Sequence, residues 1–339
     1  MFLRLTTLAV AGALTLAACG SGAPTTTERP WPGSAATHPG RGPSHLSVAG
    51  DTQVLPLNLL VAERDDRLVS ISPRGQIVWQ LRQGDPTQVF VSRTGRTLVI
   101  TESQRSLVAM RRVDNHQVSF VYRRLDEPET AVETASGQVV IADSGSCAVV
   151  LVSPAARRAL STLGGAGVCV HDPPRAFAHP DAAFPAADGE LVVTERDPAW
   201  IDVLSARDRV LDTIRLSGWS EASDASAFGR SGLIVAERRD PGAVEELDRS
   251  GVPLWRYGPS AGTGELDRPA LARVLADGDV LVVDSGNDRV IVLDPKTDAI
   301  VWQYGHTGIA GTRPGYLDDP LSATLVPLGG ACARERPRS

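Results

Sequence analysis

Six times along the chain an apolar triplet and one further small or apolar residue lead into an acid. The copies are Leu59-Leu60-Val61-Ala62-Glu63, Leu98-Val99-Ile100-Thr101-Glu102, Val139-Val140-Ile141-Ala142-Asp143, Leu191-Val192-Val193-Thr194-Glu195, Leu233-Ile234-Val235-Ala236-Glu237 and Val280-Leu281-Val282-Val283-Asp284. Carboxylates gathered at one level would supply oxygen ligands for Ca²⁺, which takes six to eight of them. The same six acids have a structural use if each caps its own turn or pairs with a nearby arginine, and Arg64, Arg196, Arg238 and Arg289 stand close by. Three histidines, His171, His179 and His306, fall between the apolar runs, where imidazole serves as a general base or metal ligand. His171-Asp172 is the one adjacent acid–histidine pair among them.

The spacing of the acids says what must position them. They lie 39, 41, 52, 42 and 47 residues apart, about 44 on average, the period of a four-stranded propeller blade and too long for helical solenoids of 33 or 34 residues. Glycine precedes the run at Gly95, Gly137, Gly189, Gly232 and Gly278, suiting a tight turn with positive φ into the second strand. Proline stands fifteen or sixteen residues before the acid at Pro86, Pro128, Pro180 and Pro269, at the start of a first strand. Continuous apolar runs suit strands sandwiched between neighbouring sheets.

The first unit, Asn58 to Leu81, lacks a proline-led strand, while Pro320 to Val326 is left over at the other end. Pairing that C-terminal strand into the first blade closes the ring and removes exposed edges. The fold class expected is therefore all-β: a six-bladed propeller of four-stranded blades over residues 51–330.

The stretch Tyr257 to Pro269 followed by Asp277-Gly278-Asp279-Val280-Leu281-Val282-Val283-Asp284-Ser285-Gly286-Asn287-Asp288-Arg289-Val290 resembles an NHL repeat, and Leu293 to Trp302 is similar to the PQQ-like propeller repeat. The resemblance is strong over this blade and degenerate in the other five. It implies a propeller more firmly than an activity, since such folds host enzymes, sensors and scaffolds. PQQ is not expected as a cofactor, because the adjacent cysteine pair of the PQQ-dependent dehydrogenases is absent.

Residues 1–50 read as an address. Arg4 precedes an apolar run from Leu5 to Ala18, too short for the roughly 20 residues that span a bilayer. Leu16-Ala17-Ala18-Cys19 resembles the bacterial lipobox, which implies a signal peptide over 1–18 and a lipid on Cys19. Residues 20–50 hold six Gly, five Pro, four Ser and four Thr; 19–50 are thus the lipidated cysteine and a flexible tether spanning about 30 Å. Residues 331–339 are a polar tail.

A non-cytoplasmic location permits disulfides. Cys147 in a turn and Cys169 in the loop leaving the third blade fall on one face and are expected to pair, leaving Cys332 without an intramolecular partner. The glycine loops Gly164 to Gly167 and Gly258 to Gly264 lack the phosphate-binding patterns. Trp79, Trp255 and Trp302 recur in fourth strands, where packing between blades is their expected role.

Composition excludes other classes. Lys296 is the sole lysine among 34 basic residues, which argues against Schiff-base or Walker-type chemistry, and a net charge of −6 offers nothing to nucleic acid. The expectation is a lipid-anchored binding module on the extracytoplasmic side of the cell membrane, recognising an envelope protein, peptide or glycan through its loop face. The alternative is a Ca²⁺- or Zn²⁺-dependent hydrolase or lyase built over the central channel from the acid ring and the loop residues His171, Asp172, His179 and His306.

Overall fold

Strands assemble here in consecutive groups of four. A computed structural model describes residues 55–326 apart from 65, 166, 187, 188, 197, 219, 220, 230 and 260. Cys19, Cys332, the signal peptide, the tether and the polar tail lie outside the described residues. Six antiparallel four-stranded sheets form the blades, here I to VI. Their innermost strands are Pro320–Val326, Gln88–Val91, Pro128–Glu133, Pro180–Pro185, Ala222–Phe228 and Pro269–Val274, and their second strands are Asn58–Glu63, Thr97–Glu102, Val139–Asp143, Leu191–Glu195, Gly232–Glu237 and Val280–Asp284. Third strands are Arg67–Ile71, Leu107–Arg112, Ala148–Ser153, Trp200–Leu204, Ala243–Leu247 and Arg289–Asp294; outer strands are Ile77–Arg82, Val118–Tyr122, Arg158–Gly164, Val210–Arg215, Pro253–Tyr257 and Ala299–Tyr304. The repeated acid ends every second strand.

The ring closes as the leftover strand required. Pro320–Val326 pairs antiparallel with Asn58–Glu63, from Asn58 opposite Val326 to Glu63 opposite Pro320. Innermost strands of successive blades touch one another around the axis.

Period-two alternation explains the continuous apolar runs. Leu59 and Val61 pack towards blade VI with Leu271, Val283 and Val290, whereas Leu60 and Ala62 pack towards blade II with Val89, Leu98 and Ile100. Both faces of a blade interior are thus buried, and each pair of adjacent blades shares an apolar cluster. Trp302 is buried between blades VI and I, with Trp255 and Trp79 partly buried at two other blade interfaces. Outer strands face solvent on one side; Ile77–Arg82 alternates half-buried and exposed residues along its length.

Turn glycines behave as expected at Gly95, Gly137, Gly189 and Gly278, all with positive φ. Gly232 does not share it. A Cβ at Gly232 would run into the Phe228 ring, so close packing is what requires glycine there.

Candidate functional site

Where the innermost strands begin, all six blades contribute to one cavity of about 350 Å³ at the axis. Its lining includes Gln88, Glu129, Asp181, Asp224, Ala270 and Leu321, one from each innermost strand. Arg64, Ser103, Arg196 and Arg238 also line it, each directly following one of the repeated acids, and Asp85 and Glu127 add two further carboxylates. None of the six acids lines the cavity.

This corrects the expectation of channel acids, and alternation supplies the reason: in an extended chain the residue after the acid points the opposite way. The acids are buried, and loops and arginines take up their carboxylates. In blade I Glu63 binds Arg67 through two contacts, one of 2.9 Å, and accepts the Asp318 N–H at 3.0 Å. Asp143 accepts the Asp126 N–H at 2.7 Å, Glu195 that of Ala178 at 2.5 Å, and Asp284 that of Asp267 at 2.8 Å. Those four donors each stand two residues before the proline that opens an innermost strand, so the repeated acid fixes the loop entering its blade's innermost strand.

Glu102 is held by Gln83 and by Arg105 at 2.5 Å, Glu237 by Arg239 at 3.0 Å and Arg256 at 3.5 Å, and Asp284 additionally by Arg289 at 2.7 Å. Of the four neighbouring arginines named from the sequence, only Arg289 pairs with its acid. Arg64 binds Asp319, while Arg196 and Arg238 turn to the axis.

At the axial mouth Arg196 bridges carboxylates from three blades. It contacts Glu129 at 3.1 Å, Asp181 through its Nε at 2.8 Å and Glu221 at 3.4 Å. The carboxylates around it hold its own pKa above the usual arginine value, Asp181 most strongly. Arg273 donates to the Asp224 carbonyl at 2.9 Å and reaches its carboxylate at 3.4 Å. Burial pushes the Asp224 carboxyl up to about 7, with Arg273 pulling it back and the charge of Asp181 adding to the rise. Glu129 rises by burial and by repulsion from Asp181. Three arginines and five carboxylates line the mouth, which makes it a polar concave surface with charge of both signs.

The histidines separate. His171 Nδ1 lies 2.8 Å from Glu195 Oε1 and 3.7 Å from Asp202 Oδ2, with its ring stacked on Trp200 at 4.0 Å between centroids. His171-Asp172 is not the working pair: Asp172 turns to Arg175 in a two-pronged contact at 2.9 and 2.7 Å. His179 Nδ1 stands 4.0 Å from Cys147 Sγ, and His306 stacks on Tyr316. Asp202, missed from the sequence, is fully buried; its signal is a carboxylate at an inward position of the apolar strand Trp200–Leu204. Burial pushes its carboxyl up to about 7, the Thr213 hydroxyl opposes this, and Glu195 adds to it. Cys147 and Cys169 form the expected disulfide, with Cα atoms 5.2 Å apart.

No protein-family model matches the sequence, and neither does any curated protein. Similar solved structures include a protein of unknown function from Bacteroides caccae, with a TM-score of 0.61 at 16% identity over 80% of this chain and 99% of that one. A chain of the nidogen/laminin complex has a TM-score of 0.59 at 13% identity, covering 79% and 98%. A streptogramin B lyase has 0.55 at 12%, covering 75% and 80%. At these identities the likeness is one of fold, and what the chain shares with such structures is the β-propeller.

Proposed function

We propose that the protein is a lipid-anchored, extracytoplasmic binding module whose axial mouth recognises an envelope protein, peptide or glycan. The observation that supports this reading is the cavity itself: all six innermost strands line it, and Arg196 gathers Glu129, Asp181 and Glu221 at its rim. Paired guanidinium and carboxylate groups at a concave polar mouth suit a ligand carrying both donors and acceptors. A cation over the axis, the enzyme alternative, would have to draw on Asp85, Glu127, Glu129, Asp181 and Asp224 in place of the repeated acids, and Arg196 already sits against Glu129 and Asp181.

Affinity capture from envelope extract with the full chain tests the mouth. Arg196→Ala, which leaves Glu129 and Asp181 without their shared cation, is expected to weaken retention at least tenfold; equal retention by both forms moves the site elsewhere. The anchor has its own test in Cys19→Ser, which is expected to release the chain from the membrane fraction and abolish lipid labelling.

A further inference from the structure

The geometry points to a divalent transition-metal site, separate from the axial mouth, formed by His171 Nδ1, Glu195 Oε1 and Asp202 Oδ2 in blade IV. These three atoms lie within 4.8 Å of one another. Each carboxylate spends one oxygen on being held in place and aims the other at the imidazole. Glu195 Oε2 accepts the Ala178 N–H at 2.5 Å while Oε1 faces His171 at 2.8 Å. Asp202 Oδ1 accepts the Thr213 hydroxyl at 2.7 Å, while Oδ2, in a fully buried side chain, faces His171 at 3.7 Å and meets no donor, its other polar neighbour being the Glu195 carboxyl, to which it can bond only by sharing a proton. A buried carboxylate oxygen left unpartnered is costly unless a cation or proton joins it. Trp200 fixes the plane of the His171 ring by stacking at an interplanar angle of 6°. Outer partners of this kind orient the ligands of metal sites.

The neighbouring blade shows what the arrangement lacks. Glu245 in blade V occupies the ladder position of Asp202: Asp202 lies opposite Val193 and Glu245 opposite Val235, each two residues before the repeated acid. Blade V therefore also carries two buried acids, Glu237 and Glu245, but Arg239 and Arg256 neutralise them. Across the next strand Glu245 faces Arg256, whereas Asp202 faces Thr213. Among the described residues no arginine pairs with Glu195 or Asp202; His171 is the one basic group that meets them. A dication neutralises both carboxylates at once, as the two guanidiniums do in blade V.

One imidazole with two carboxylates suits Zn²⁺ or a similar first-row ion, whereas Ca²⁺ and Mg²⁺ favour all-oxygen sets. His171 is the accessible member, its side chain 19% exposed against 0% for the acids, so an ion enters past the histidine.

The test uses the full chain, purified in detergent, stripped with chelator and titrated with Zn²⁺, and with Co²⁺ as a visible probe. The expected result is a site whose affinity falls at least about tenfold in His171→Ala, Asp202→Asn and Thr213→Val and is unchanged in Glu245→Gln. Zn²⁺ is also expected to raise the thermal midpoint of wild type and not of His171→Ala. His171 lies in a loop outside the strands and is partly exposed, so that variant keeps the measurement interpretable if a carboxamide variant fails to fold. Affinity unchanged by His171→Ala and Asp202→Asn, or no Zn²⁺ uptake at millimolar metal, overturns the assignment.

Discussion

Asp224 has a weak counter-charge for so buried an acid. Its carboxylate meets Arg273 at 3.4 Å, lies in the field of Arg238, and is repelled by Asp181 and Glu129. Its folded pKa of about 7 is raised above the ordinary value of 3.8, so between these values the native state holds a proton that the unfolded chain has released. The contribution of Asp224 to stability is then greatest below about pH 4, falls as pH rises towards 7 and levels off above it, by at most about 4 kcal/mol. Urea unfolding across that range should show a slope of this sign in wild type that becomes shallower in Asp224→Asn, the remainder coming from the other raised carboxyls, Asp202 and Asp284. Arg196 works in the opposite sense. Removing it leaves Glu129 and Asp181 facing each other without their shared cation, and Arg196→Ala should destabilise the fold by about 2 kcal/mol at neutral pH, recovered in part by a second change, Asp181→Asn. A silent Arg196→Ala in denaturant melts would contradict this account.

At the scale of elements, the repeated acid is a device for holding a loop. Asp143 needs only an acceptor oxygen for the Asp126 N–H. Asp143→Asn should therefore stay within about 1 kcal/mol of wild type, while Asp143→Ala, which orphans a backbone donor, should cost about 2 kcal/mol. A metal ligand would not tolerate the amide so well, so the two variants distinguish the uses. The disulfide ties the turn after the second strand of blade III to the loop leaving that blade, closing a separation of 22 residues. Its reduction should cost about 3 kcal/mol in the chain-entropy picture, measured as a lowered thermal midpoint with reductant. Gly164 depends on the same corner: it has φ +71°, and a Cβ there would sit 2.7 Å from the Cys147 carbonyl oxygen.

For the whole molecule, closure is the vulnerable feature. One strand drawn from the far end of the chain completes blade I, and Asn58–Glu63 loses its pairing partner on the axial side without it. Ending the chain before Pro320 should expose that edge, broaden the unfolding transition and promote association of the opened rings, which light scattering would detect. A truncated chain that unfolds as sharply as wild type would show that the seal is dispensable. The apolar clusters between blades make the ring a chain of nearest-neighbour contacts, so opening it at one interface weakens both flanking blades.

Blade number and the four strands of each blade were legible because a propeller repeats locally, through the period near 44 residues and the lead proline; the closing strand was legible because counting strands leaves the first blade one short and one strand over at the far end. The disulfide was legible too, since both cysteines flank strands of one blade. What the repeat left undecided was direction. The acid repeats conspicuously, yet the residues beside it that meet the axis are its successors, Arg64, Ser103, Arg196 and Arg238, from a position that is arginine in three blades and serine in three. His171, Glu195 and Asp202 come from a loop and two different strands, and no spacing in the chain marks their meeting. Strand pairing within a blade is set by patterns close together in the chain, and the closing pair by counting strands, whereas a site is set by which side chains long-range packing turns towards the same point, and that only the tertiary structure decides.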